Sequence, residues 1–327
     1  MNNNIDIIID YIKRSNDFIV TSHVNPDGDN IGSTLSMYYF LNKINKKVYY
    51  VLDDSIPLNV QFLVKDINII SSQEFKELNI ENYNLITLDC GDKYRICIDD
   101  DIINNCEKLI CIDHHSSNDS YGDFNYVIPE SSSTCELVYN LLMRYSEINN
   151  LNIIDKDIAT SLYTGLITDT GKFSYSNTHA SSFEMAKNLL IIGANTQSIV
   201  QNVFGSNPYN FYKLLGEALN TLEISNTKVA TMIVTKDMME RYNVDFKDID
   251  GVTPYARDIE NVEIGILLKQ KGENEIKVSL RSKTYVDVSK IAKVFGGGGH
   301  IRAAGCTIYD SIDKAKEVLL KEALKEI

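Results

Sequence analysis

Aspartate and histidine residues gather at four points in the first half of this 327-residue chain. They form the segments His23-Val24-Asn25-Pro26-Asp27-Gly28-Asp29, Asp89, Asp113-His114-His115 and Thr168-Asp169. Each group follows a short apolar run with the composition of a buried strand, as Leu166-Ile167 does before Thr168. Because ligands in parallel α/β sheets bind beyond the carboxyl ends of the strands, we expect the four groups to meet at one edge.

The mixture of side chains predicts a metal centre. Asp and His ligands together suit Mn²⁺, Co²⁺ or Fe²⁺ better than Ca²⁺. A structural zinc site would typically use Cys, and the chain has no CxxC pair. The carboxylates would repel one another if unpaired; they are those of Asp27, Asp29, Asp89, Asp113 and Asp169. Two divalent cations about 3.5–4 Å apart would neutralise them, acidify a bridging water and clamp phosphoryl oxygens.

The elements that must position these groups form an α/β pattern. Strands are predicted over residues 18–22, 48–52, 85–88 and 109–112, and helices near 31–44, 133–147, 155–167 and 180–192. Strands that alternate with helices indicate a parallel sheet with helices on both faces. The expected fold class of this part is therefore α/β.

The second half has a different pattern. A helical stretch over residues 195–222, which contains Gly205-Ser206-Asn207-Pro208, is interpreted as a linker. Strand-like segments follow at 228–234, 262–269 and 276–280, with helices near 287–295 and from about 311. This order predicts a smaller α+β domain. The predicted organisation is a catalytic domain over 1–194, a helical linker over 195–222 and a substrate-binding domain over 223–327.

A second candidate site lies in this smaller domain. The run Gly296-Gly297-Gly298-Gly299 allows close backbone approach and positive φ, and His300 follows it. A glycine-rich turn that enters a helix presents amide groups to an anion, so we expect this run to bind one. Arg281, at the end of a predicted strand, would add a guanidinium for a phosphate or carboxylate. A flexible loop and a surface salt bridge are the structural alternatives.

Charge and hydropathy narrow the choice of partners. Lys and Arg number 32 against 45 Asp and Glu, so the net charge is −13. Such a surface argues against a binder of long duplex DNA, but a small anion remains compatible where metal ions supply positive charge. No apolar run is long enough for a membrane helix, and residues 1–6 lack the features of a secretory signal. A cytoplasmic protein with six reduced, mostly buried cysteines is expected.

Together, these residues resemble the DHH phosphoesterase superfamily. The name-giving triplet is Asp113-His114-His115, and the similarity extends to the segment from His23 to Asp29, Asp89 and Asp169. The second half, with Arg281 and the glycine run before His300, is similar to the associated DHHA1 domain. The resemblance covers nearly the whole chain in the right order. It implies an enzyme that cleaves very short RNA to nucleoside 5′-monophosphates and converts 3′-phosphoadenosine 5′-phosphate to AMP and phosphate.

The resemblance also implies roles for the site residues, with two Mn²⁺ ions as cofactors and Co²⁺ or Mg²⁺ as substitutes. One ion would take His23, Asp27 and Asp89, and the other would take Asp29, Asp89, His114 and Asp169. The implied catalytic group comprises Asp113, His114 and His115. Within it, His115 would lie close to the scissile phosphate and Asp113 would orient a histidine. The substrate would be held by His115, Arg281, Gly298, Gly299 and His300.

Two positions depart from the pattern of the superfamily. Ser174 stands where members often carry a basic residue, and Lys172 lies two positions earlier, so the grip on substrate near the metals is expected to differ. His179 has no place in the pattern and is interpreted as a helix-start residue.

Several alternatives remain open. Hydrolysis of cyclic di-AMP, or of its linear product, needs the same groups. An inorganic pyrophosphatase is disfavoured because no dense basic cluster is present. A processive single-strand exonuclease would carry an additional oligonucleotide-binding domain. A non-catalytic nucleotide sensor is disfavoured because every ligand position is intact. The expected partners are short RNA or small nucleotides, with neither long duplex DNA nor a membrane, and a homodimer is left open.

Overall fold

The computed structural model describes residues 5–327, apart from the side chains of Lys247, Asp248 and Asp250. The prediction that residues 1–6 lack a secretory signal falls partly on residues 1–4, which lie outside the described residues. The chain divides after Ser206 into two compact units. This division falls inside the predicted 195–222 linker, whose bounds stay a prediction.

The first unit is built on a parallel sheet of six strands. They are β1 (Asp17–Ser22), β2 (Lys47–Val51), β3 (Ile69–Ile70), β4 (Asn84–Leu88), β5 (Leu109–Asp113) and β6 (Phe124–Val127). Their spatial order is β3-β2-β1-β4-β5-β6, and every pairing is parallel. The order reverses direction between β1 and β4, so the carboxyl ends of these two central strands flank the point where such sheets bind ligands.

Helices cover both faces of this sheet. They are α1 (Ile5–Arg14), α2 (Gly28–Lys43), α3 (Ser72–Glu77), α4 (Asp100–Asn104), α5 (Thr134–Asn149), α6 (Lys156–Asp169), α7 (Ala180–Ile192) and α8 (Thr196–Phe204). Side chains alternate along β1: Phe18 and Val20 join a core with α2, α5 and α6, whereas Ile19 joins a second core with α3 and α4. The predicted α/β class is confirmed.

The second unit is a mixed sheet with helices on both faces. Its elements are α9 (Tyr209–Asn220), β7 (Glu223–Ser225), β8 (Val229–Val234), α10 (Lys236–Tyr242), α11 (Thr253–Arg257), β9 (Ile264–Gly272), β10 (Glu275–Ser282), α12 (Val288–Val294), β11 (Gly298–His300), β12 (Ala303–Ile308) and α13 (Ile312–Ala323). The strand order is β11-β12-β10-β9-β8-β7, and only β8 and β9 pair in parallel. The predicted α+β character is confirmed. None of the helices that the structure describes is long and apolar enough to cross a membrane.

The prediction that the glycine run enters a helix is wrong. The run follows α12, and Gly298 and Gly299 form the edge strand β11 with His300. A Cβ atom at Gly297 would collide with the carbonyl oxygen of Gly305 in β12, and Gly299 has φ +141°. The glycines therefore allow the close approach of two strands, which sequence-local reasoning about a helix start does not capture.

The fourth acidic group lies at the end of a helix, as the helix predicted over residues 155–167 indicates, and not after a strand, as its grouping with the other three implied. Leu166 and Ile167 lie inside α6, and Asp169 is its last residue. The buried residues Ile158, Leu162 and Leu166 recur every four positions, so the helical period outweighs the two-residue apolar run. Asp169 thus reaches the site from the end of a helix.

Candidate metal centre

The segment after β1 supplies the first group of ligands. His23 forms a bridge with Ile96, and its Nδ1 lies 2.8 Å from the carbonyl oxygen of Val24. Asp27 caps α2, because its Oδ1 accepts hydrogen bonds from the amides of Asp29 (3.1 Å) and Asn30 (3.0 Å). One carboxylate oxygen of Asp27 is therefore fixed by the helix, and the other can act as a ligand.

Asp89 lies at the centre of the site. It follows β4 with φ +55°, a left-handed conformation that is uncommon for a residue other than glycine. Its amide still donates to the carbonyl oxygen of Ile112 at 3.0 Å, so the turn begins only after the sheet pairing ends. Asp89 Oδ2 is 3.4 Å from His23 Nε2, and Oδ1 is 3.7 Å from both His114 Nε2 and His115 Nδ1.

The predicted ligands converge around this carboxylate. Three groups have donor atoms that all lie within 4.8 Å of one another: His23–Asp27–Asp89, Asp29–Asp89–His114 and Asp89–Asp113–His115. Asp89 belongs to all three. Asp169 joins them, since its Oδ2 is 3.5 Å from His114 Nε2. The structure thus brings together all six residues that the sequence predicted as metal ligands.

Asp113 and His115 form a hydrogen-bonded pair beside the ligands. Asp113 is fully buried, and its Oδ1 accepts from His115 Nδ1 at 2.7 Å. Its Oδ2 accepts from Asn118 Nδ2, also at 2.7 Å. Gly91 makes room for the imidazole, because a Cβ atom there would lie 2.8 Å from the Cβ of His115. The hydrogen bond at Nδ1 fixes the orientation of the imidazole of His115.

The electrostatics of the cluster fit bound cations. Burial, followed by the charge of Asp89, raises the pKa of both Asp29 and Asp169 well above the ordinary range. Burial also raises the pKa of Asp89, but its hydrogen bond to His23 and the charges of nearby histidines outweigh this, and the pKa falls. Burial lowers the pKa of His23, yet Asp89 and Asp27 raise it to about 9. The cluster holds more carboxylates than its histidines can balance.

The donor set fits divalent metal ions. The three groups around Asp89 consist of carboxylate oxygens and imidazole nitrogens, without a thiolate. Such ligands suit manganese and similar borderline cations. Asp89 is shared by the groups His23–Asp27–Asp89 and Asp29–Asp89–His114, whose other members differ, so the arrangement fits two ions with one common ligand.

Sequence reasoning missed the residues that support the ligands. Thr134 and Cys135 donate their amides to Asp29 at 2.6 and 2.9 Å, and Thr134 Oγ1 donates to Asp89 Oδ1 at 3.0 Å. The available signal was the segment Ser131-Ser132-Ser133-Thr134-Cys135-Glu136, in which Ser133 and Glu136 have the spacing of a helix capping box. That signal marks the start of α5 but does not indicate that its first amides donate hydrogen bonds to Asp29.

The predicted substrate residues of the second unit share one row of its sheet. Arg281 in β10 and His300 in β11 both pair with Ala303 in β12. Residues that lie opposite each other across strands point to the same face, so two strand spacings, about 10 Å, separate Arg281 and His300. Arg281 is half-buried and donates to the carbonyl oxygen of Leu280 at 3.0 Å, whereas Gly298, Gly299 and His300 are exposed.

The two positions that depart from the superfamily pattern lie near α7. His179 is the residue before α7, and its amide donates to Ser182 Oγ at 3.0 Å, which confirms the helix-start prediction. Ser174 is exposed. Lys172 has φ +61°, and its Nζ lies 4.4 Å from the ring centroid of Phe204.

Fold and site together define a class: a two-unit α/β protein with an aspartate–histidine centre at the ligand-binding edge of its parallel sheet. Comparison with known families specifies it. Residues 17–166 match the family model of the DHH family N-terminal domain, and residues 226–327 match that of the DHHA1 domain. The chain belongs to the DHH family, carries both domains, and is a phosphoesterase of that family.

Individual relatives support this assignment over the whole length. The chain is 30% identical over 317 residues to the bifunctional oligoribonuclease and PAP phosphatase NrnA of Thermus thermophilus, covering 94% of this chain and 89% of the relative. It is 24% identical over 325 residues to the cyclic-di-AMP phosphodiesterase GdpP of Bacillus subtilis, covering 94% of this chain but 48% of the relative. A crystal structure of an exopolyphosphatase-related protein from Bacteroides fragilis superimposes with a TM-score of 0.89 at 28% identity, covering 98% and 95% of the two chains.

Proposed function

We propose that this chain hydrolyses very short RNA oligonucleotides to nucleoside 5′-monophosphates and converts 3′-phosphoadenosine 5′-phosphate to AMP and phosphate. The observation that carries the proposal is the position of Asp89, one buried carboxylate shared by the groups His23–Asp27–Asp89 and Asp29–Asp89–His114. The similarity to the Thermus relative, which carries both activities in its name, supports the choice of substrates.

Two divalent cations, preferably Mn²⁺, would occupy the centre. His23, Asp27 and Asp89 would hold the first ion, called here the outer ion. The second, called the inner ion, would be held by Asp29, Asp89, His114 and Asp169. When bound, such a pair of ions polarises phosphoryl oxygens and acidifies a water molecule.

His115 would act on the substrate from beside the ligands. Its Nδ1 is engaged by the buried carboxylate of Asp113 at 2.7 Å, which fixes the orientation of the ring. The remaining nitrogen would then donate a hydrogen bond to a phosphoryl oxygen. His114, whose Nδ1 lies 3.2 Å from the carbonyl oxygen of Ser131, would serve as a ligand through Nε2.

The second unit would contribute a phosphate-binding row of its own. Arg281 and His300 face the same side of the sheet, and the exposed backbone of Gly298 and Gly299 lies in the edge strand beside them. A guanidinium, an imidazole and the amides of an edge strand together suit a phosphate. The net charge of −13 opposes tracking along a long phosphate backbone, which agrees with a preference for very short substrates.

Product analysis tests the proposal. The purified chain with Mn²⁺ is incubated in parallel with a 5′-labelled RNA dinucleotide, a longer RNA, 3′-phosphoadenosine 5′-phosphate and cyclic di-AMP. Rapid conversion of the dinucleotide and the bisphosphate to monophosphates is expected, with the longer RNA lagging and no turnover after chelation. Absence of turnover on both favoured substrates would overturn the proposal, and pyrophosphate would be the next substrate to test.

The second candidate function is hydrolysis of cyclic di-AMP or its linear product. The similarity to the Bacillus phosphodiesterase over 94% of this chain favours it specifically. The same ligands and the same phosphate-binding row would serve this reaction. Preferential linearisation of cyclic di-AMP in the parallel assay would select this function over the first.

A further inference from the structure

One short segment supports most of the metal ligands. Residues 131–135, called here the support segment, comprise the last three residues before α5 and the first two residues of that helix. The backbone amides of Thr134 and Cys135 each donate to one oxygen of Asp29, at 2.6 and 2.9 Å. The hydroxyl of Thr134 donates to Asp89 Oδ1 at 3.0 Å. Both aspartates are thereby held by the same turn of chain.

The support segment also reaches the other two residues assigned to the inner ion. The carbonyl oxygen of Ser131 lies 3.2 Å from His114 Nδ1. The carbonyl oxygen of Ser132 accepts from Asn177 Nδ2 at 2.8 Å, and the same amide group lies 3.3 Å from Asp169 Oδ2. Every ligand assigned to the inner ion is thus hydrogen-bonded to this segment directly or through one side chain.

The remaining ligands depend on different partners. His23 Nδ1 lies 2.8 Å from the carbonyl oxygen of Val24, and Asp27 accepts from amides at the start of α2. Neither contact involves the support segment. A disturbance of that segment would therefore act on the inner ion, while the outer ion would be affected only through the shared Asp89.

Glu136 fixes the shape of the support segment. Its Oε2 accepts three hydrogen bonds, from the amide of Ser132 at 2.8 Å, the hydroxyl of Ser132 at 2.6 Å and the hydroxyl of Ser131 at 3.1 Å. The side chain is buried, and it lies in the first turn of α5, where a negative charge is stabilised. A buried charged acceptor with three donors holds a loop more rigidly than neutral hydrogen bonds do.

We infer that Glu136 is a positioning residue that sets the affinity of the inner metal ion through the support segment and leaves the outer ion nearly unchanged. This inference rests on the proposed two-metal site. Outer partners of metal ligands typically contribute about 10–100-fold to affinity. Loss of the Glu136 carboxylate should lower inner-ion affinity by a factor in that range.

Calorimetric titration of the metal-free protein with Mn²⁺ tests the inference without relying on activity. The wild type should bind two ions. Glu136→Ala should bind one ion with near wild-type affinity and the other about 10–100-fold more weakly. Glu136→Gln keeps a neutral acceptor and should show a smaller loss. Glu130→Ala removes an exposed carboxylate just before the support segment and serves as the matched control, with no change expected.

Activity supplies a second readout. For Glu136→Ala the Mn²⁺ concentration that gives half-maximal rate should rise, while the rate at saturating metal returns close to that of the wild type. A purely structural role would lower the rate at every metal concentration. Thermal unfolding of the metal-free variants checks folding, and Glu136→Gln carries the test should Glu136→Ala fail to fold.

Three outcomes would contradict the inference or its basis. Equal weakening of both ions, or unchanged affinity in both Glu136 variants, would show that Glu136 does not act selectively on the inner ion. Binding of fewer than two ions by the wild type would instead overturn the proposed two-metal site. The two failures are distinguishable because only the second involves the unmodified chain.

Discussion

The candidate functional groups are buried in the first unit and largely exposed in the second. In the first unit, Asp29 and Asp89 are 2% and 3% exposed, and their oxygens accept hydrogen bonds from Thr134 and Cys135. In the second unit, Gly298, Gly299 and His300 lie in an exposed edge strand. The first arrangement fixes charges before any ligand arrives, and the second leaves backbone and side chain open to solvent.

The difference follows from what each region would bind. Several buried carboxylates stay together only with a cation or a proton, and their hydrogen-bond partners fix the geometry that the cation meets. A phosphate that enters and leaves with every turnover needs exposed donors. Substitutions in the first unit should therefore change metal binding, whereas those in the second should change substrate use with the metals in place.

The largest effect is expected at the residue that both ligand groups share. Asp89→Ala removes a ligand from both proposed ions. Loss of a residue that only hydrogen-bonds to a metal ligand lowers activity by up to about 100-fold, so loss of the shared ligand should lower it by more than that. Calorimetry should show that binding of both Mn²⁺ ions is weakened. Asp119→Ala, at an exposed aspartate, is the control and should behave as the wild type. Retention of most of the activity would show that Asp89 is not a shared ligand.

A glycine substitution compares the packing of the two units directly. A Cβ atom at Gly165 in α6 would lie 2.7 Å from Asp29 Oδ1 and would collide with Cys135 Sγ. Gly165→Ala should therefore destabilise the protein by about 1–3 kcal/mol and displace a metal ligand. Gly216→Ala, inside α9 of the second unit, meets nothing within 4 Å and should stabilise by about 0.4–1 kcal/mol.

Thermal unfolding and Mn²⁺ titration of both glycine variants provide the measurement. The melting temperature should fall for Gly165→Ala and rise for Gly216→Ala. Equal melting temperatures would mean that the crossing of α2 and α6 can relax, and the close packing around Asp29 would then not be required for the site.

The predicted ligands could be found from sequence because their types are rare and their positions follow strand ends. The chain has five histidines, and His23, His114 and His115 all lie within two residues of the end of a parallel strand. Asp169 was predicted as a ligand and grouped with the strand ends, although the helix predicted over residues 155–167 stops just before it. Its position depends on where α6 ends against α2, which a two-residue apolar run does not encode.

The supporting residues could not be predicted for a physical reason. Thr134 and Asp29 are 105 positions apart, and their contact exists only once α2 and α5 pack on the same sheet face. Ser, Thr and Asn are also common in turns and helix caps, so their residue types give no signal for a metal site. The glycine run shows the same limit, since its strand conformation depends on pairing with Ala304 and Gly305 in β12.

A smaller effect, confined to substrate use, is expected in the second unit. His300→Ala removes a donor from the phosphate-binding row. The KM for the dinucleotide should therefore rise about tenfold, which corresponds to the free energy of one hydrogen bond to a charged group. Both Mn²⁺ ions should bind as in the wild type. Tyr309→Ala, at an exposed residue just beyond β12, is the control. Loss of metal binding in His300→Ala would contradict the proposal that the first unit binds the metals and the second unit binds substrate.

The smallest effect on activity concerns a carboxylate of the second unit that is buried and hydrogen-bonded, as Asp29 and Asp89 of the metal centre are. Glu263 is 3% exposed and accepts hydrogen bonds from the amides of Thr284 (2.9 Å), Tyr285 (2.8 Å) and Val286 (3.0 Å). It thereby anchors the turn that follows Arg281. Burial raises the pKa of Glu263, but the hydrogen bond from the Thr284 hydroxyl (2.6 Å) and those from the three amides outweigh it, and the pKa falls below the ordinary value.

A lowered pKa in the folded state means that the ionised carboxylate stabilises the fold at neutral pH and that this contribution is lost as pH falls through the folded-state pKa. Glu263→Gln should therefore lower the free energy of unfolding by about 1–3 kcal/mol at pH 7. The difference from wild type should narrow below the ordinary glutamate pKa of about 4.3. Denaturant unfolding across this pH range measures it, with exposed Glu273→Gln as the unchanged control. A difference that stays constant with pH would show that the charge of Glu263 does not anchor the turn. The two units would then differ in how their sites are held in place as well as in how exposed those sites are.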